Sequence, residues 1–223
     1  MNNDLTEHTL REELVSASRK INSIGLNQGT SGNLSNRIKG GLLITPSSMP
    51  YEEMQSDDLV AIDLSGNHLI QTQRQPSSEW QLHAEILKQR PEIKTIVHCH
   101  SIHATALSCH EKSIPSFHYM TAVAGGNDIR CAPYATFGTK KLSEVAVAAL
   151  KNRLACLLAH HGQITLGLNL KTAIQIALEV ETLAHIYLQA CQLGDPPQLS
   201  NAEMTEVHNK FKKIRYRVDK NTL

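Results

Sequence analysis

Histidine is the residue type that first suggests chemistry in this chain. Twelve are present, and five of them fall between positions 98 and 118: His98, His100, His103, His110 and His118. The tightest pattern is His98-Cys99-His100, inside an alternating run from Thr95 to Ser101 that reads as a strand. On a strand, residues i and i+2 share a face, so both imidazoles project together while Cys99 points the other way. Two imidazoles held on stiff backbone make half of a metal site. A second pair, His160-His161, follows another buried-looking run and precedes Gly162. Neighbouring residues on a strand point oppositely, so one of this pair joins His98 and His100. Glu79 follows Pro76-Ser77-Ser78 at a helix start; taken alone, it complements the helix dipole and the serines cap the helix. The loop Asn27 to Asn33 (Asn-Gln-Gly-Thr-Ser-Gly-Asn) and the turn Thr45-Pro46-Ser47-Ser48 are either hairpin punctuation or a source of N–H groups and hydroxyls for an anion. Three such polar clusters around one metal candidate favour the second reading.

The elements that must position these groups are legible from periodicity. Leu10, Leu14, Ala17, Ile21 and Ile24 recur at helical steps over residues 5–25, and Gly25 stops that helix. Short runs at 34–38, 42–45 and 59–64, separated by Gly40-Gly41, Pro46 and Ser65-Gly66, predict strands in antiparallel hairpins. Trp80, His83, Ala84 and Leu87 lie at helical spacing, and Pro91 ends that helix. A short helix is expected over 102–109, irregular chain over 115–138, a helix over 143–150 and a buried strand over 154–159. The longest helix runs over about 170–193 and is terminated by Gly194 and Pro196-Pro197. Ser200 and Glu203 form a capping box that opens a last, basic helix.

Composition bounds the function. The chain has 223 residues with Lys plus Arg 22 against Asp plus Glu 21, a formal net charge of +1. That balance leaves no electrostatic footprint for nucleic acid or an anionic membrane. Three Phe, one Trp and five Tyr are too few for a general base-stacking platform. No apolar run approaches the ~18 residues that span a bilayer, and the first residues carry no secretory pattern. Five cysteines without a close Cys-x-x-Cys pair argue against a disulfide framework or a thiolate zinc site, so a reducing, cytoplasmic location is expected. A single domain of mixed helices and strands over 1–223 fits, with neither repeat nor linker.

Eight segments in order carry a resemblance. They are the Asn27–Asn33 loop, Leu43-Ile44-Thr45-Pro46, Pro76 to Trp80, Val97-His98-x-His100, His118-Tyr119-Met120, Ala124 to Asn127, Cys131 to Gly138 (Cys-Ala-Pro-Tyr-Ala-Thr-Phe-Gly), and His160-His161-Gly162. Together the chain resembles the class II aldolase/adducin family over nearly its whole length, most closely the members that act on fuculose phosphate. The resemblance implies an α/β fold, a three-layer αβα domain with a central, mainly antiparallel sheet. It implies a lyase of carbohydrate metabolism holding one Zn²⁺ per subunit. Such an enzyme cleaves a ketose 1-phosphate of the L-fuculose 1-phosphate type to dihydroxyacetone phosphate and an aldehyde such as lactaldehyde.

The family's metal histidines fall on His98, His100 and His161, and its catalytic, metal-contacting glutamate on Glu79. Its phosphate-binding positions fall on Gly32, Asn33, Ser47, Ser48, Ser77 and Ser78, with Ser48 standing where the fuculose-phosphate members have glycine. The resemblance implies a ring-shaped homotetramer with active sites at its interfaces, and the tyrosine that completes a neighbouring subunit's site falls on Tyr119. Aldehyde-side aromatics fall on Phe137 and Phe211, while the family's tail tyrosine has no clean match: Ile214 stands near its place and Tyr216 two residues on. The alternative substrates are 5-deoxyribulose and 5-methylthioribulose 1-phosphates from nucleoside-derived sugar salvage. An epimerase or dehydratase of the family is a further alternative, although the epimerases lack glutamate at the Glu79 position. A non-catalytic adducin-like module is disfavoured by retention of all three histidines and Glu79.

Overall fold

The computed structural model describes residues 7–220 of the chain, with side chains as far as residue 213. Ile214 and Tyr216 therefore lie outside the described side chains. Seven strands form one open sheet: β1 (Asn33–Ile38), β2 (Gly41–Ile44), β3 (Val60–Asp63), β4 (Thr95–Cys99), β5 (Arg130–Ala132), β6 (Ala155–Leu158) and β7 (Gly162–Gly167). Their order is β3-β2-β1-β4-β7-β6-β5, and every neighbouring pair is antiparallel except β5 with β6. Among the described residues six α-helices accompany it: α1 (Glu7–Ser23), α2 (Trp80–Gln89), α3 (Ile102–Cys109), α4 (Lys140–Ala149), α5 (Leu170–Ala190) and α6 (Asn201–Lys220).

Strand alternation sorts the core into two sides. Leu42, Ile44, Ile96, Cys156, Leu158, Ile164 and Leu166 pack with Leu82 and Ile86 of α2 and Leu142 and Ala146 of α4. From the opposite face Leu43, Val97 and Cys99 pack with α1 and α5, and Ala155 and Leu157 pack with α3 and α5. The sheet is thus the middle of three layers, as the resemblance implies.

Several expectations shift in detail. The segment 115–138, expected to be irregular, contains a 3-10 turn at Tyr119–Ala124 and the short parallel edge strand β5. Helix α4 starts at Lys140, ahead of the expected 143, because the Thr139 hydroxyl caps it by accepting from Leu142 N. Strand β7 has no counterpart among the runs that periodicity marks as strands. Helix α5 gives way at Ala190 to a 3-10 turn, Cys191–Leu193. The Ser200–Glu203 capping box forms as read: Glu203 N donates to Ser200 Oγ, and Ser200 N to Glu203 Oε2.

Candidate metal centre and active site

Register places the first components side by side. Asn33 of β1 pairs with His98 of β4, and His98 pairs with Ile164 of β7. Cross-strand partners share a face, so Asn33 and His98 emerge together on the α2 side of the sheet. The turn before β1 allows this approach only with glycine at position 32. Its φ is +70°, and a Cβ there would lie 2.6 Å from the His98 carbonyl oxygen. Asn27 ties the same turn to β4 by accepting from His100 N at 3.1 Å and donating to the Ser31 carbonyl.

His98, His100 and His161 each turn one nitrogen inward, and these atoms all lie within 4.8 Å of one another. Their rings are 4.7 to 4.9 Å apart at 67° to 80°, so three nearly orthogonal imidazoles point at one spot. The choice within the second histidine pair is settled by backbone. His160 has φ +55°, and the β6–β7 turn, closed by His161 N donating to Leu158 O, sends His161 inward. His160 points out and lies 3.3 Å from Glu111 Oε1.

Glu79 completes the cluster from the start of α2. Its Oε2 accepts from Asn33 Nδ2 at 3.0 Å and lies 3.2 Å from His98 Nε2. Its Oε1 lies 3.5 Å from His161 Nε2 and is buried without a hydrogen-bond partner. The N-cap position of α2 falls on Glu79, not on a serine, and Glu79 makes no side-chain cap bond; the Ser77 hydroxyl accepts from Glu79 N at 3.3 Å just ahead of the helix. The reason is local pairing. Ser77 N donates to Thr45 O and Ser47 N to Gln75 O, which lays the two serine segments alongside each other and ahead of the helix.

The electrostatics are those of a preformed cation site. Burial opposes charge on Glu79, but the adjacent His98 overrides it and holds the carboxyl well below the usual carboxylate range. Burial likewise opposes charge on His98, while the Glu79 carboxylate raises it above an ordinary histidine. Burial, then His98, pushes His161 down to about 4; burial, then His98 and His161, pushes His100 down to about 3. Those two rings are neutral near pH 7 and offer lone pairs. His98 donates Nδ1–H to the Gln163 carbonyl at 2.8 Å, which directs Nε2 into the cluster. A carbonyl partner of this kind is the usual support of a metal-bound histidine. Three neutral-capable imidazoles, an orphaned carboxylate oxygen and one backbone-fixed tautomer fit a divalent cation such as zinc.

A cavity of about 370 Å³ opens on this cluster. One wall holds Gly32, Asn33, Ser47, Ser48, Ser77 and Ser78, all six of the phosphate-binding candidates; Thr30 and Ser31 also line it. Among the described residues no Lys or Arg lines it. The other wall has Tyr134, Phe137 and the outward-facing His160. Ser48 has φ +56°, a backbone conformation that favours glycine. Two candidates stand elsewhere in the chain. Tyr119 is half exposed on the 3-10 turn packed on α5, and Phe211 is half-buried on α6; neither lines the cavity.

Sequence reasoning does not single out Tyr134, or His83 as more than a helix-face residue. His83 is fully buried beneath the site, bonded to Asn33 and Ser35, and burial with the nearby His98 pushes it down to about 3. The available signal is a histidine on the apolar stripe of Trp80, Ala84 and Leu87.

An open, mostly antiparallel sheet with imidazoles and a carboxylate converging beside a hydroxyl-lined cavity has a match. Residues 12–188 fit the model of the Class II Aldolase and Adducin N-terminal domain, and the chain belongs to this family. It is 49% identical over 203 residues, 91% of each chain, to a 5-methylthioribulose-1-phosphate/5-deoxyribulose-1-phosphate aldolase of Rhodospirillum rubrum. It is 45% identical over 216 residues to the L-fuculose phosphate aldolase of Escherichia coli K12, covering 96% of this chain and all of that one. A solved L-fuculose 1-phosphate aldolase superposes with a TM-score of 0.87 at 40% identity, over 91% of this chain and 95% of the other. No helix among the described residues is long and apolar enough to cross a membrane.

Proposed function

We propose that this chain is a zinc-dependent aldolase that reversibly cleaves a ketose 1-phosphate to dihydroxyacetone phosphate and a short aldehyde. The observation that carries the reading is the convergence of His98, His100, His161 and Glu79 at one end of a cavity whose adjoining wall is built of neutral hydroxyl and amide donors. His98, His100 and His161 would hold the ion, with Glu79 beside it. A bound divalent cation supplies Lewis-acid stabilisation of the negative charge that carbon–carbon cleavage leaves on the ketone half.

The chain's own groups do the rest. Gly32, Asn33 and the four serines hold the phosphate and so fix the constant half of the substrate. Neutral donors hold a dianion firmly enough to orient it and weakly enough to release it with product. In the condensation direction, the Glu79 carboxylate takes a proton from C3 of dihydroxyacetone phosphate. As the new C3–C4 bond forms, Tyr119 of an adjacent subunit donates its phenolic proton to the aldehyde oxygen. Glu79 then releases its proton to solvent and Tyr119 regains one; cleavage is the reverse. The exposure of Tyr119 and its place outside its own chain's cavity support a role in a neighbour's site; the homotetramer itself is inferred from membership of the family. The enzyme is a single-domain protein of the cytoplasm.

Phe137 and, by assembly, Phe211 face the aldehyde. L-Fuculose 1-phosphate is the substrate suggested by the fuculose-phosphate relatives. The 49% identity with a methylthioribulose/deoxyribulose-phosphate aldolase supports the second substrate class. Steady-state rates on the three ketose 1-phosphates, followed by release of dihydroxyacetone phosphate, separate the two. A substrate that loses water without releasing that product would replace the aldolase reading with a dehydratase one.

A further inference from the structure

One polar side chain at the site has no task in the proposed reaction. His83 does not line the cavity, and its side chain hydrogen-bonds none of the metal candidates, yet its imidazole, fully buried, makes two short contacts. Its Nδ1 is 2.6 Å from Ser35 Oγ, and its Nε2 is 2.6 Å from Asn33 Oδ1. Asn33 and Ser35 are two apart on β1 and so share the face on which α2 lies. Asn33 in turn donates Nδ2–H to Glu79 Oε2 at 3.0 Å.

The polarity of this chain of bonds is fixed by chemistry. A neutral imidazole has one N–H and one lone pair, while an amide oxygen only accepts. With Oδ1 facing His83, the Nε2 of His83 must carry the proton, and Nδ1 must accept from the Ser35 hydroxyl. The Asn33 amide has nearly the same shape when turned over, but its oxygen would then face the Glu79 carboxylate, acceptor against acceptor. Glu79 holds an amide donor only while the amide stays in one of its two orientations.

We propose that His83, as its Nε2–H tautomer, is a positioning residue that locks the Asn33 amide with its N–H toward Glu79. It sets the direction of the carboxylate that carries the proton, without touching substrate. The proposal rests on the reading of Glu79 as that proton carrier. Groups supporting an active-site residue from behind typically contribute 10–100-fold to activity or metal affinity, which sets the expected scale.

Two measurements test it on the zinc-loaded, full-length protein. Imidazole ¹⁵N NMR of the unmodified enzyme should show His83 with a protonated Nε2 and a pyridine-type Nδ1; an Nδ1–H or doubly protonated ring overturns the proposal. The second is a double-mutant cycle on kcat. His83→Phe, which fills the space without a donor, should lower kcat by roughly 10–100-fold. His83→Gln, which returns an N–H near the Nε2 position, should recover most of that loss. In an Asn33→Ala background, His83→Phe should cost little more, because the group it orients is gone. Losses that multiply, or a Gln variant as slow as Phe, would show that His83 only fills the core and would overturn the proposal. Should the unmodified protein cleave no ketose phosphate, the functional reading fails, and the tautomer still decides whether the relay exists.

Discussion

Replacing Glu79 with glutamine separates proton transfer from architecture. The substitution conserves volume at a buried position. The new amide can turn its oxygen toward Asn33 Nδ2, preserving the 3.0 Å bond, and place its NH₂ where Oε1 now has no hydrogen-bond partner. The carboxylate that raises His98, 3.2 Å away, is lost, so that ring is left as a neutral imidazole able to serve the cation. The three imidazoles remain, so folding and metal content should be close to those of the parent. Catalysis should not survive, because an amide does not exchange a proton at C3. Loss of a general base costs ~10²–10⁴-fold, equivalent to about 2.7–5.4 kcal/mol of barrier at 1.36 kcal/mol per decade. The assay is kcat for release of dihydroxyacetone phosphate at saturating ketose 1-phosphate, paired with zinc stoichiometry and a thermal melt. Turnover within a few-fold of the parent, at normal zinc content, would refute the assignment of proton transfer to Glu79.

Other outcomes follow from the same geometry. His161→Asn should lose its zinc on dialysis, whereas His160→Asn, altering the outward ring at an αL position that Asn tolerates, should keep it; equal retention by both would break the three-histidine centre. Ser48→Gly removes a positive-φ strain and should raise stability by roughly 0.5–1 kcal/mol, a Tm increase of about 1–4 °C, with KM for the ketose phosphate little changed; a lower Tm on calorimetry would contradict the strain argument. Tyr119→Phe should bind substrate almost normally and turn over slowly. Reassembling Tyr119→Phe with Glu79→Gln subunits should restore activity, since some sites then draw both intact groups from different chains; no recovery on mixing would exclude the shared site.

Much of the site is legible in the sequence because it rests on period-two geometry. His98 and His100 converge as the spacing on a strand requires, and the polar loops at 27–33, 45–48 and 76–79 line one wall. What stays hidden depends on backbone and long-range pairing. The choice of His161 over His160 turns on a left-handed residue, which spacing alone does not specify. Ser77 and Ser78 look like helix caps, but their segment is committed to pairing with the Thr45–Ser47 turn, so the cap position passes to Glu79. Strand β5 is three residues long, too short for periodicity to register. His83 reads as one member of an apolar stripe until the sheet brings Ser35 and Asn33 against it. The places of Tyr119 and Phe211 outside the cavity of their own chain follow from the path of the chain, which local sequence does not report.

The central claim is that a divalent cation held by three histidines enables aldol cleavage here. The most direct measurement is the release of dihydroxyacetone phosphate from a ketose 1-phosphate by the purified protein, before chelation, after complete metal removal, and after re-addition of zinc alone. The account predicts one dihydroxyacetone phosphate per ketose consumed, abolition on metal removal and recovery with zinc. Cleavage that persists in the fully stripped protein, or its absence with every ketose 1-phosphate despite one bound zinc per chain, would contradict it.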